Sequence, residues 1–204
     1  MLTPAPLVVP PDELESTFGG GVPKLWYCGE LALLKNQLLG VVSAREIEPD
    51  LALKTAELIE QLTSIKVTFI GGWHSPLEEE ALRILLRGRA PIVFCVAKTL
   101  EKFVPLEDVR TVVAQGRGLL LTHCSPKARR ISRDASLRRN EIFLSLARAL
   151  LVLSAPPRSA SAKLAEGAVK LGKPVFAIDH RVNQDLLASG VLPATFENIS
   201  QAFQ

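Results

Sequence analysis

Short apolar runs recur along the chain at 38–42, 66–70, 91–97, 118–122, 149–154 and 174–178, each bounded by turn-forming or polar residues. They are continuously apolar rather than alternating, the pattern of strands buried on both faces. The segments between them carry a helical period. Leu77, Ala81, Ile84 and Leu85 fall on one face, and so do Leu164, Ala168 and Leu171. Connections of this length allow the right-handed crossovers that parallel strands need. The expected architecture is therefore α/β: a Rossmann-like, doubly wound, mainly parallel sheet of about six strands with helices on both faces. Residues 1–24 are rich in Pro and Gly and are expected to form an irregular arm ahead of one domain over 25–204.

Composition agrees with a chain that buries a core: of 204 residues, 48% are hydrophobic and 22% charged. No apolar run approaches the roughly 20 residues that span a bilayer, and the N-terminus lacks a basic region followed by a long apolar one. A cytoplasmic protein with no membrane partner is expected. Cys28, Cys95 and Cys124 form no CxxC, and His74, His123 and His180 stand far apart, so no metal ligand set is assigned. The net charge of +3 is unevenly spread, because residues 125–139 alone carry a local charge of +5. Charge focused in this way points to an anionic partner.

Ligands of open α/β sheets sit outside the carboxyl ends of the strands, near the point where strand order reverses. Four stretches fall there. In Val42-Ser43-Ala44-Arg45, small residues let the backbone approach a ligand and Arg45 offers a cation; the alternative is a solvated turn. In Gly71-Gly72-Trp73-His74-Ser75-Pro76, Gly71 and Gly72 allow positive φ, Ser75 is an N-cap, Pro76 suits the first helical position and Glu78 completes a capping box. Glu78, Glu79 and Glu80 already complement that helix end, which argues against an anion held directly on it. His74 reads as a rim residue or a base. The third stretch holds Lys127, Arg129, Arg130, Arg133, Arg138, Arg139 and Asn140. Arg138 and Arg139 are expected at the start of a helix, where cations oppose the dipole and are often kept for binding phosphate; the alternative is a solvated basic loop. In the fourth, Ala155-Pro156-Pro157-Arg158-Ser159-Ala160-Ser161, there is no Walker A or GxGxxG motif, and Ser159 and Ser161 can cap a helix or offer hydroxyls to phosphate. No catalytic residue and no cofactor are assigned.

Taken in order, these stretches resemble the DprA/Smf family of DNA-processing proteins, particularly its small single-domain relatives. Leu25-Trp26-Tyr27-Cys28-Gly29-Glu30 with Leu33-Leu34 is similar to the family's lead-in, and Val42 to Arg45 to its V-G-S/T-R. Gly71-Gly72 through Leu82, Arg139-Asn140-Glu141-Ile142 and Gly172-Lys173-Pro174-Val175-Phe176-Ala177-Ile178 follow in the family's order. Ser43, Glu141 and residues 157–161 depart from its motifs. The resemblance implies a core that binds single-stranded DNA on a positive edge, as a homodimer, and passes it to a RecA-type recombinase. The implied edge comprises Arg45, Gly71, Gly72, His74 and Ser75, the basic residues of 127–139, Asn140, Ser159 and Ser161, with Arg45, Arg138 and Arg139 converging. Two other readings stay open. One is a nucleotide-binding domain, or a nucleoside monophosphate hydrolase of the LOG type, whose P-G-G-x-G-T-x-x-E motif this chain lacks. The other is a non-catalytic oligomeric scaffold.

Overall fold

The computed structural model describes residues 4–8, 11–18, 21–46, 48–103, 105–126 and 133–204. The six expected strands are all present: β3 Leu38–Ser43, β4 Thr68–Gly71, β5 Ile92–Val96, β6 Gly118–Thr122, β7 Ala149–Ser154 and β8 Val175–Ala177. Three more join them, β1 Ala5–Pro6, β2 Trp26–Gly29 and β9 Leu192–Pro193. The sheet has nine strands in the order β1-β2-β6-β5-β4-β3-β7-β8-β9. Every pair from β6 to β9 is parallel, while β2 runs antiparallel to β6 and β1 antiparallel to β2. Strand order reverses between β3 and β7, the crevice where a doubly wound sheet presents its ligand site.

Helices cover both faces. On one, α2 Pro49–Leu62, α3 Pro76–Arg87, α4 Glu107–Ala114 and α8 Phe196–Gln201 place Leu51, Ile59, Leu77, Leu85, Val112 and Ile199 against Leu39, Phe69, Ile92 and Leu151. On the other, α1 Asp12–Phe18, α5 Arg133–Leu146, α6 Ala160–Lys170 and α7 Gln184–Ala188 place Leu14, Phe143, Ala165 and Leu186 against Ile70, Val93, Leu150 and Val152. The sheet is apolar on both sides because both sides are covered.

Three expectations are corrected. Among its described residues the lead-in is not irregular: β1 pairs with β2, and α1 inserts Leu14, fully buried, against the helical face that includes α5. The buried face of α6 runs through Ser161, Ala162, Ala165 and Ala168, whereas Leu171 is 52% exposed. The helix ends at Lys170, so the i+7 position falls on its cap and turns outward. Finally, α5 begins at Arg133, which sets Arg138 and Arg139 in its second turn, where the dipole acts weakly on them. Among the described residues no helix is long and apolar enough to cross a membrane.

Candidate nucleic-acid interface

The carboxyl ends of the parallel strands form one rim, and a buried carboxylate ties its centre together. Glu78, 1% exposed, accepts from Ser43 N at 2.9 Å and from His74 N at 3.0 Å, with His74 Nδ1 at 3.3 Å. Ser75 caps α3 through Glu78 N, as its sequence predicts. The reciprocal bond of a capping box goes instead to His74 N and across to the β3 loop. Burial alone would raise the Glu78 pKa, but the His74 ring and the two backbone N–H donors outweigh it and hold the group below the usual carboxylate range. An ionised glutamate thus occupies the N-terminal end of α3, so this helix end is already neutralised.

The positive φ of the β4 loop falls on Trp73, at 53°, rather than on either glycine. Trp73 Nε1 donates to the Val93 carbonyl at 3.0 Å and its ring packs 6.3 Å from Phe94, which holds the strained residue in place. Gly72 serves a different purpose. A Cβ there would stand 2.3 Å from Arg139 Nη1 and 2.7 Å from His74 Nδ1, so any side chain at this position would displace the arginine and the imidazole from where they lie.

Arg139 is 7% exposed, which makes it a buried cation behind the rim rather than a residue of an open edge. Its Nε donates to Asn140 Oδ1 at 2.8 Å and its Nη1 reaches the Cys95 carbonyl at 3.3 Å. Burial lowers its pKa, though an arginine stays charged. Burial also pushes the neighbouring Cys95 thiol up to about 12, so it is no nucleophile. Arg139 shares a small cavity with His123, whose Nδ1 is buried and has no hydrogen-bond partner among the described residues. Burial, then Arg138 and Arg139, lower the His123 pKa and keep the ring neutral. His123 was not singled out in the sequence, since nothing local distinguishes Thr122-His123-Cys124 from an ordinary strand end.

Arg138 does not join Arg45 and Arg139. Its guanidinium lies 4.2 Å from the Phe18 ring centroid, donates to the Gly21 carbonyl at 3.3 Å and pairs with Glu141 at 2.9 Å. It therefore clasps the lead-in to α5. Arg45 is exposed at the β3 end and has no ion pair among the described residues. Beside it, across the strand reversal, Ser159 caps α6 through Ala162 N at 3.1 Å and its Oγ lies 2.9 Å from that of Ser161, which is buried. Lys127, Arg129 and Arg130 lie outside the described residues; Arg133 opens α5.

Glu48, Asp50 and His180 bring metal-ligating atoms within 4.8 Å of one another at the β8 end of the rim. Internal bonds account for all three. His180 Nδ1 accepts from Val182 N, so Nε2 carries the proton that it directs at Asp50, 3.0 Å away, while Glu48 pairs with Arg181. A ring in this tautomer offers no lone pair to a metal in that cluster.

The family model described as DNA recombination-mediator protein A matches residues 11–192. No curated protein matches the chain. Among solved structures, DNA processing protein A from Streptococcus pneumoniae is similar at 23% identity and TM-score 0.83, covering 100% of this chain and 75% of that one. DNA processing protein A from Helicobacter pylori, whose structure concerns its single-stranded DNA binding mode, is similar at 19% identity and TM-score 0.81, covering 98% and 95%. A molybdenum cofactor carrier protein from Chlamydomonas reinhardtii is more distant, at 14% identity and TM-score 0.56 over 82% and 98%. At these identities the structures attest the fold.

Proposed function

Since the chain belongs to the DNA recombination-mediator protein A family, we propose that it binds single-stranded DNA, as a non-enzymatic mediator, on the rim at the carboxyl ends of β3 to β7. The observation that carries this reading is Arg45, an exposed cation without an ion pair among the described residues, standing where strand order reverses. Arg139 adds a buried positive charge behind the β4 loop, and residues 125–139 carry a local charge of +5 in the sequence. Arginine suits this task because its planar fork meets phosphate oxygens bidentately. The H. pylori relative's single-stranded DNA binding mode, described in its structure, supports the same ligand class.

The site residues of this reading are Arg45, Gly72, His74 and Arg139 at the centre, with Gly71, Ser75 and Asn140 positioning them. Ser159 and Ser161 flank the centre, and Lys127, Arg129, Arg130 and Arg133 belong to this reading through their charge in the sequence. Arg138 acts on the fold. A homodimer, a cytoplasmic location and transfer of the bound strand to a RecA-type recombinase go with this proposal.

Affinity for oligo-dT measured across a salt series tests it. Neutralising several phosphates makes log affinity fall steeply with log salt, by about 0.7 per phosphate on a single strand. A shallow slope together with tighter binding of a mononucleotide would favour the nucleotide-binding alternative.

A further inference from the structure

At the end of β6 the backbone around His123 is fixed, yet one of its ring nitrogens is left unpaired. The Thr122 hydroxyl accepts from Cys124 N at 3.0 Å and donates to the Val96 carbonyl at 2.8 Å, which pins the loop on either side of the histidine. His123 Nε2 lies 3.8 Å from Cys124 Sγ, while Nδ1 is buried and has no hydrogen-bond partner among the described residues. Leaving a buried polar group unpaired costs about 1–3 kcal/mol. The setting of the ring therefore calls for a partner.

The cavity that His123 shares with Arg139 can supply one. Its volume is about 10 Å³, and Leu25, Leu121 and Ile142 line it together with Cys95, His123 and Arg139. This is room for a single water and too little for a phosphate. Polar partners come from the His123 ring, the Arg139 guanidinium and the Cys95 carbonyl, which Arg139 Nη1 reaches at 3.3 Å. The ring is neutral, because burial and the charges of Arg138 and Arg139 disfavour its protonation. A guanidinium only donates, so a water beside it accepts from Arg139 and turns its own protons to the Cys95 carbonyl and to Nδ1. The ring proton then sits on Nε2, facing Cys124 Sγ.

We propose that one buried water links His123 Nδ1 to the Arg139 guanidinium and the Cys95 carbonyl, which makes His123 a positioning residue for the buried cation behind the β4 loop. The relay stands on the cavity and the unpaired nitrogen, whereas its effect on strand binding rests on the reading of the rim as a nucleic-acid interface. Asn140 Oδ1 already holds Arg139 Nε at 2.8 Å. The water adds a further tie to the guanidinium, so less side-chain freedom remains to be lost when a strand binds.

Proton–nitrogen NMR of the full chain tests the relay directly. His123 is expected to carry its proton on Nε2 with Nδ1 as an acceptor, and its ring protons should show cross-relaxation with a long-lived water. A proton on Nδ1 overturns the relay, as does the lack of any water contact. The positioning role is read from labelled oligo-dT. His123→Leu removes the acceptor and should lower affinity about threefold to tenfold at moderate salt, the range of one hydrogen bond. The salt slope should not change, because no phosphate contact is lost. In His123→Asn the amide oxygen can stand in for Nδ1, and affinity should stay within about twofold of the unaltered chain. Equal affinities in His123→Leu and the unaltered chain overturn the positioning role, even where His123→Leu lowers the melting temperature, and so does a smaller salt slope in His123→Leu. If the unaltered chain binds no oligo-dT at any salt, the interface and the positioning role fall together, and the tautomer still decides the relay.

Discussion

Gly72 and Arg139 are in such close contact that a methyl group on the glycine would stand 2.3 Å from Nη1 of the arginine. The two positions lie far apart in sequence, and each is explained by the other: the β4 loop needs a residue without a side chain so that a guanidinium from α5 can pass behind it. Gly72→Ala should push Arg139 off the Cys95 carbonyl. The expected cost is about 1–3 kcal/mol of stability, as for other overpacked sites. Oligo-dT affinity should fall as well. Denaturant unfolding and a binding titration on the same sample check both.

Glu78 links the β3 and β4 loops through Ser43 N and His74 N. Glu78→Gln keeps the shape but loses the charge and directs an amide N–H at a backbone donor. A loss of about 2 kcal/mol is expected, within the range for hydrogen bonds to charged groups. The pH dependence follows from the depressed pKa of this group in the folded chain. Its contribution is fully present above the ordinary glutamate range of about 4.3 and disappears as pH falls through the lower folded value. The stability gap between the unaltered chain and Glu78→Gln should be constant at neutral pH and narrow in acid. A gap that widens in acid would contradict the assignment.

The Arg138 clasp predicts a stability effect with a specific coupling. Arg138→Ala and Phe18→Ala should each destabilise, and the double-mutant cycle should return about 0.5–1 kcal/mol of interaction, as for a partly exposed cation–π pair. Because the guanidinium is engaged with Phe18, Gly21 and Glu141, Arg138→Ala should change oligo-dT affinity less than Arg45→Ala does.

The six core strands were legible because a strand covered on both faces reads as an unbroken apolar run. The added strands were not. β1 and β9 have two residues each, and β2 is half-buried, so none makes such a run. The lead-in escaped for a related reason: α1 has one fully buried side chain, Leu14, and in DELESTF only Phe18 is apolar beside it, too little for a helical period to show. At the site, the cap at Ser75 and the cation at Arg45 were readable because both follow from local position. The burial of Arg139, the turning of Arg138 onto Phe18 and the reach of Glu78 to Ser43 depend on which strands become neighbours, and no local pattern encodes that. The paired glycines signal positive φ in the sequence, yet Trp73 adopts it and Gly72 gives clearance to Arg139.

The central claim is that the rim holds a nucleic-acid strand through Arg45, and a titration of labelled oligo-dT with Arg45→Ala tests it most directly. Arg45 is exposed and has no ion pair among the described residues, so its removal should leave the melting temperature within about 1–2 °C, as for ordinary surface substitutions. Affinity at moderate salt should fall on the order of tenfold, equivalent to about 1.4 kcal/mol. Unchanged affinity in a chain that still binds the strand would place the interface elsewhere on the molecule and contradict the account.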